Sequence, residues 1–147
     1  MIPFLVVVAL AIGAGLTIQA GVNASLRSVL GHPIHATVLN FVTGLILVLL
    51  FAVVARVPAP AAADLKRAPV WMYLGGLIGA TYVGASVVLA PRLGATLMVG
   101  LLVTGQLAAA LVIDHFGVLG FPEHRASLWR VAGVACLVLG VIIVRRS

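Results

Sequence analysis

Charged residues are scarce in this 147-residue chain, which has three acidic side chains against nine Lys and Arg. A soluble domain of this size must still cover a large outer surface with polar groups, and so few charges cannot do that. Hydrophobic residues make up 63% of the chain, compared with about 45–50% in soluble domains. A soluble fold is therefore excluded, and most of the surface must face lipid.

Cysteine and the usual catalytic arrangements are also scarce. The lone Cys136 allows no disulfide framework, and no motif places a serine beside a base. A typical zinc site needs three or four ligands, whereas His32 and His35 straddle a proline with no cysteine or carboxylate near them. We therefore expect no enzyme activity, no bound metal and no cofactor.

The net charge of +6 raises the question of a polyanionic partner. The basic residues occur singly or in pairs, without the basic stripe and interleaved aromatics that are typical of nucleic-acid binding. We expect no nucleic acid partner, and membrane lipid with anionic headgroups is the better match.

Five uncharged stretches are long enough, or nearly so, for the roughly 20 residues that a helix needs to cross about 30 Å of hydrocarbon. The sequence thus predicts an all-α integral membrane protein, one domain over residues 1–147 with five transmembrane helices. Their predicted ranges are 2–28, 34–55, 70–90, 93–113 and 128–144.

The connectors are too short to contain a further domain, since the longest is about fourteen residues, an ordinary loop length. Prolines should stop helix formation throughout the connector 57–69. The dipeptide Pro91-Arg92 is expected to make the tightest turn of the chain.

Uncharged polar residues inside the spans are the candidate substrate-binding residues, because polar groups are costly in the bilayer. Gln19 and Asn23 are four residues apart and share a helix face. At 1.5 Å per residue, Gln19 and Asn40 both lie about 6 Å from the midplane on the same side and could meet. Tyr82 lies near the middle of the third span and could offer its ring to a cation, and Gln106 lies in the fourth.

Two interpretations of this set stay open: interhelical hydrogen bonding, or a cavity for a small polar solute. No charged residue occupies a span centre, so proton coupling would fall to Asp114 or His115 near an interface. Gly75, Gly79 and Gly84 form rows of small residues that let helix backbones approach closely.

The nine basic residues are almost evenly divided between the two membrane faces, with five on the N-terminal side and four on the other. Lys and Arg in short loops set the orientation of a helical membrane protein. Because the basic residues are divided almost evenly, the sequence favours insertion in both orientations and pairing with an inverted copy.

Several short motifs occur along the chain, among them Gln19-x-x-x-Asn23, Trp71 with Gly75-Gly76, Pro91-Arg92-Leu93-Gly94-Ala95, Gly105-Gln106 and Asp114-His115-Phe116-Gly117. Together they resemble the YdcZ-like family, a five-span branch of the drug/metabolite transporter superfamily of bacterial inner membranes. The resemblance covers nearly the whole chain, and Asn40 departs from it, since a small hydroxyl residue is expected before Phe41.

The resemblance implies a multi-pass inner-membrane protein that is half of a ten-helix, inverted-repeat transporter completed by antiparallel dimerisation. It implies a small secondary transporter or exporter of a small polar or cationic metabolite or drug, working by alternating access as a homodimer. The alternatives are a non-transporting membrane subunit, or one half of a heterodimer with an oppositely oriented partner.

Overall fold

The computed structural model describes residues 2–146, and its regular structure is helical throughout. Five long helices are accompanied by a six-residue helix, α3, and by one 3-10 turn, Val70–Tyr73. In chain order the helices are α1 (Ile2–Leu30), α2 (Pro33–Val54), α3 (Ala62–Arg67), α4 (Leu74–Leu93), α5 (Ala95–Phe116) and α6 (Leu128–Arg146).

The five predicted spans are confirmed as helices long and apolar enough to cross a membrane, with mean hydropathy between 1.6 and 2.6. Their bounds differ from the predicted ones by only a few residues. Bilayer thickness sets the length of such helices, and charged or helix-breaking residues mark their ends, so apolar length alone locates them well.

The predicted turn at Pro91-Arg92 is wrong. Pro91 lies inside α4, and the chain turns at Gly94, whose φ of +76° suits glycine. A proline within a helix leaves the carbonyl four residues earlier without its N–H partner. That carbonyl belongs to Val87, and another helix supplies its hydrogen bond, as described below.

The expectation that prolines stop helix formation throughout the connector is also wrong, because α3 lies within it. Asp64 lies in its first turn, and Lys66 and Arg67 lie in its last, which matches the sign of the helix dipole at each end. The hydroxyl of Tyr73 donates to the Leu65 carbonyl at 2.8 Å, which ties α3 to the start of the third span.

The chain divides into two compact units, Met1–Arg92 and Leu93–Ser147. In the first unit α1 packs on α2, and in the second α5 packs on α6. The tight turn between α1 and α2 is made by Gly31, with a φ of +76°, and by His32, whose Nδ1 accepts from the Ile34 N–H and caps α2.

Little apolar surface is buried within the chain. The buried apolar residues of the described part are Ala20, Ala36, Val87 and Met98. Most apolar side chains on the five long helices point outward, as expected where hydrocarbon replaces water as the solvent. The residues that position the candidate site are therefore mainly the polar ones.

Candidate functional site

Three carboxamide side chains meet between α1 and α2. The Oδ1 atom of Asn40 accepts two hydrogen bonds, from Gln19 Nε2 and from Asn23 Nδ2, each 3.2 Å long. Asn23 is buried, Asn40 half-buried and Gln19 exposed. We call these three residues the amide cluster. The depth count from the sequence correctly predicts that Gln19 and Asn40 can meet.

The helical hairpin explains why Asn23 and Asn40 are at one level. Asn23 precedes the Gly31-His32 turn by about as many residues as Asn40 follows it. In an antiparallel pair, equal distances from the turn give equal heights, here roughly 13 Å from the turn at 1.5 Å per residue. Gln19 is one helical turn further along the same face.

The amide cluster retains hydrogen-bonding capacity after its internal bonds are made. No group among residues 2–146 donates to the carbonyl oxygens of Gln19 or Asn23, and the Asn40 NH₂ group has no acceptor there. No buried side-chain N or O atom in the described part lacks a partner, so these groups are accessible. The cluster therefore offers two acceptors and an amide donor without a formal charge.

Arg27 continues the row begun by Gln19 and Asn23, and it contacts α4. Its Nη1 donates to the Val87 carbonyl at 3.4 Å, the carbonyl that Pro91 deprives of its helical donor. Val87 is completely buried, so this carbonyl needs a partner from the protein. One face of α1 thus hydrogen-bonds to both α2 and α4.

Tyr82 and Gln106, the other predicted substrate-binding residues, lie outside the amide cluster. Tyr82 is half-buried on α4, where its backbone carbonyl accepts from the Ser86 hydroxyl. Gln106 is exposed on α5 in the second unit, and its side chain makes no hydrogen bond within the described part. Their role in substrate binding stays a prediction.

Asp114 and His115, the predicted coupling residues, organise the loop after α5. Asp114 Oδ2 is 3.3 Å from Arg130 Nη1, and the same Nη1 donates to the His124 carbonyl. The Asp114 backbone carbonyl accepts from the His124 N–H at 2.7 Å. His115 Nδ1 accepts from the Ala126 N–H at 3.1 Å. Both residues therefore fix the loop to α5, and a coupling role stays a prediction.

Two further residues have structural roles at the ends of this loop: Gly117, from the Asp-His-Phe-Gly motif, and Ser127. Gly117 ends α5 with a φ of +59°, and a Cβ there would lie 3.2 Å from the Glu123 backbone. A side chain at this position would be both strained and crowded. At the other end of the loop, the Ser127 hydroxyl accepts from the Arg130 N–H and caps α6.

The three predicted packing glycines have different surroundings. A Cβ on Gly84 would lie 3.6 Å from the Thr37 hydroxyl oxygen, so here α4 approaches α2. Cβ atoms on Gly75 and Gly79 would meet nothing within 4 Å. These two glycines leave an open, small-residue face on α4.

Two interactions were not identified from the sequence, namely the Arg27–Val87 hydrogen bond and the Asp114–Arg130 ion pair. The first could have been suspected, because Pro91 stands four residues after Val87 and so frees its carbonyl. The second joins residues sixteen apart across a loop, and nothing in their spacing indicates the contact.

Comparison with known proteins gives a family match over most of the chain. The model of a family described as "Putative inner membrane exporter, YdcZ" matches residues 4–143. Neither the comparison with curated proteins nor that with solved structures returns a match.

Proposed function

The chain belongs to the YdcZ family, whose description is that of an inner membrane exporter, and on that premise we propose how it works. It is a multi-pass protein of the inner membrane. We propose that it is a small secondary transporter that exports a small polar or cationic solute by alternating access, as an antiparallel homodimer. Its role is transport across the membrane and not catalysis.

The observation that carries the solute proposal is the shared Asn40 oxygen. Because it accepts from both Gln19 and Asn23, it fixes these two amides and leaves their own oxygens available. Preorganised carbonyl oxygens without a counter-ion suit a solute that donates hydrogen bonds, such as an ammonium or a guanidinium group. Within this proposal, Tyr82 adds a ring face for a cation, and Gln106 adds a further neutral amide.

Three features support an antiparallel pair. The basic residues are divided five to four between the membrane faces, which gives insertion little direction. Gly75 and Gly79 leave an open face on α4 that a second copy could approach closely. Two inverted copies would also supply the ten helices of an inverted-repeat carrier, with a site at the repeat interface.

A ligand-stabilisation screen tests the solute proposal. Purified full-length protein is heated with members of a panel of polyamines, amino acids and quaternary amines. A solute that binds the native state raises its melting temperature by mass action. We expect a stabilising solute among the cations, and loss of that stabilisation in Asn40→Ala.

Thr17→Val is the matched control for this screen. Thr17 lies on α1 close to Gln19, but its hydroxyl bonds to the Gly13 carbonyl of its own helix. This variant should keep the stabilisation. If Asn40→Ala responds to the solute as the unmodified protein does, the amide cluster is not the binding site.

Reporters fused to the C-terminus test the antiparallel pair. We expect both orientations in cells, and a bias towards one when two lysines are added to a single loop. A single orientation of the unmodified protein would rule out the antiparallel homodimer. It would leave the heterodimer with an oppositely oriented partner, or the non-transporting subunit, as the function to test.

A further inference from the structure

The second unit contains a groove between α5 and α6, with a volume of about 340 Å³. Its outer end is formed by Asp114 and Arg130. Its walls are apolar and include Leu107 and Ala110 on α5, and Gly133 and Leu137 on α6. We call this feature the α5–α6 groove. The amide cluster lies in the first unit.

The positions of the lining residues on α5 and α6 show in which direction the groove runs. Leu107 and Ala110 lie seven and four residues before Asp114, and Gly133 and Leu137 lie three and seven residues after Arg130. Residues at these spacings share one helix face. Since α5 ends and α6 begins at the charged pair, both faces run from it towards the membrane interior, over roughly 10 Å.

The charged pair lies close to the boundary between the hydrocarbon core and the lipid headgroups. Asp114 is close to the C-terminal end of α5, Ala95–Phe116, about 13 Å from the middle of that helix at 1.5 Å per residue. The hydrocarbon core extends about 15 Å on either side of the midplane. The groove therefore has a charged end within reach of the lipid headgroups and an apolar body in the acyl-chain region.

Both members of the pair can bind a further group. One Asp114 oxygen, Oδ2, is engaged by Arg130 Nη1, and Arg130 Nη1 also reaches the His124 carbonyl. No residue of the described part engages Asp114 Oδ1, or Arg130 Nη2 and Nε. The side chains remain 29% and 43% exposed, respectively. A free carboxylate oxygen and free guanidinium N–H groups side by side complement a ligand carrying both charges.

We propose that the α5–α6 groove binds one zwitterionic phospholipid. Its ammonium group donates a hydrogen bond to the Asp114 carboxylate, its phosphate accepts from Arg130, and one acyl chain lies along the apolar walls at Gly133 and Leu137. A Cβ on Gly133 would meet nothing within 4 Å, so the groove is open at the point where the chain passes.

Charge decides between this occupant and the others that an apolar groove could take. An anionic phospholipid would satisfy Arg130 but would bring its charge close to the Asp114 carboxylate. A helix of a second copy packed over the groove would bury the ion pair, which carries a desolvation penalty. A zwitterionic headgroup matches both charges and leaves them hydrated at the interface.

The test uses delipidated, full-length protein in detergent, titrated with dioleoyl phosphatidylethanolamine and followed by native mass spectrometry. Dioleoyl phosphatidylglycerol supplies the same chains with an anionic headgroup, and glycerophosphoethanolamine supplies the headgroup alone. We expect one tightly retained phosphatidylethanolamine, weaker retention of phosphatidylglycerol by about tenfold, and no retention of the free headgroup.

Two variants fill the groove from opposite walls, Ala110→Leu and Gly133→Leu. Each should weaken phosphatidylethanolamine binding by about tenfold or more. Ala135→Leu is the matched control, because Ala135 is exposed on α6 and does not line the groove, and it should bind as the unmodified protein does. Circular dichroism and a monodisperse elution profile show which variants are folded, and one folded filling variant is enough for the test.

Asp114→Asn separates recognition of the headgroup from burial of the chain. It should remove the preference for phosphatidylethanolamine over phosphatidylglycerol, measured as the ratio of the two affinities. The proposal is overturned if a folded filling variant retains phosphatidylethanolamine unchanged, or if the unmodified protein binds both lipids equally. It is also overturned if the filling variants change the dimer fraction and leave lipid binding unaltered, since the groove then accommodates a second copy.

Discussion

The guanidinium of Arg27 hydrogen-bonds to the carbonyl oxygen of Val87, 3.4 Å away on a different helix. This is the carbonyl to which Pro91, four residues later within α4, cannot donate. In hydrocarbon an unpaired backbone carbonyl costs several kcal/mol. Arg27 therefore allows a proline to remain inside a membrane-spanning helix, and it fixes α1 to α4 at that point.

A double-mutant cycle tests this dependence between Arg27 and Pro91. Arg27→Met should lower the free energy of unfolding by about 1–3 kcal/mol, because it leaves the Val87 carbonyl unpaired. In the Pro91→Ala background the same substitution should have little effect, since the introduced alanine supplies the helical N–H. The measurement is unfolding of the purified protein in mixed micelles for the four members of the cycle.

Arg92→Met is the control for removal of a positive charge. Arg92 is exposed at the end of α4 and makes no side-chain hydrogen bond within the described part, so its loss should change stability little. If Arg27→Met destabilises the protein equally with and without Pro91, Arg27 does not act through the Val87 carbonyl.

Within the amide cluster, substitution of Asn40 should destabilise the protein more than substitution of Gln19. Asn40 takes part in two interhelical hydrogen bonds and Gln19 in one, and each such bond contributes about 0.6 kcal/mol in a membrane. Asn40→Ala should therefore destabilise by about 1 kcal/mol, roughly twice the effect of Gln19→Ala. Chemical unfolding in micelles measures both.

Thr43→Val serves as the control on the same helix. The Thr43 hydroxyl donates only to carbonyls of α2 itself, so its removal should be nearly neutral. Equal losses for Asn40→Ala and Gln19→Ala would argue against a shared acceptor at Asn40.

The protection of the α5–α6 loop from amide hydrogen exchange should depend on Asp114 and not on Glu123. Asp114→Ala removes the ion pair with Arg130, which also holds the His124 carbonyl, so amide hydrogen exchange across residues 118–127 should accelerate. The Glu123–Arg125 pair is mostly exposed, at 55% and 84% respectively, and such pairs contribute little. Glu123→Ala should therefore leave the exchange rates unchanged, and equal acceleration in both variants would refute the assigned role of Asp114.

Gly100 and Val141 set the separation of α5 and α6. A Cβ on Gly100 would lie 2.9 Å from Val141 Cγ2, and a β-branched side chain has little freedom to move aside within a helix. Gly100→Ala should therefore destabilise the second unit by about 1–3 kcal/mol, measured by thermal unfolding.

The second substitution Val141→Ala should restore part of the stability lost in Gly100→Ala, because it removes the clashing methyl group. Gly105→Ala is the control on the same helix, since a Cβ there would meet nothing within 4 Å. Absence of rescue by Val141→Ala would show that the close approach does not limit packing at this point.

The features that the sequence predicts correctly depend on distances along the chain. Apolar length locates the five spans because bilayer thickness is fixed, and counting residues at 1.5 Å each indicates that Gln19 and Asn40 can meet. Both inferences use a single coordinate, the depth in the membrane, which sequence position determines well.

The features that the sequence does not predict require contacts between distant residues. Pro91 is a turn residue by local rules, and it remains in α4 because Arg27 of another helix satisfies the freed carbonyl. The sequence around Asp114 does not indicate its partner either, since its pairing with Arg130 depends on how the intervening loop folds. Neither contact can be predicted from local secondary-structure propensity.

Transport by the purified chain alone tests the central claim most directly. The protein is reconstituted into sealed liposomes preloaded with the solute that stabilises it. Efflux is then followed for the unmodified protein, for Gln19→Ala, Asn40→Ala and Gln106→Ala, and for the Thr17→Val control. We predict saturable efflux by the unmodified protein and by Thr17→Val, and at least about tenfold slower efflux by the three amide variants. No efflux by the folded, unmodified chain would contradict the account and indicate a subunit that needs a partner, whereas undiminished efflux by the amide variants would show that the solute crosses elsewhere.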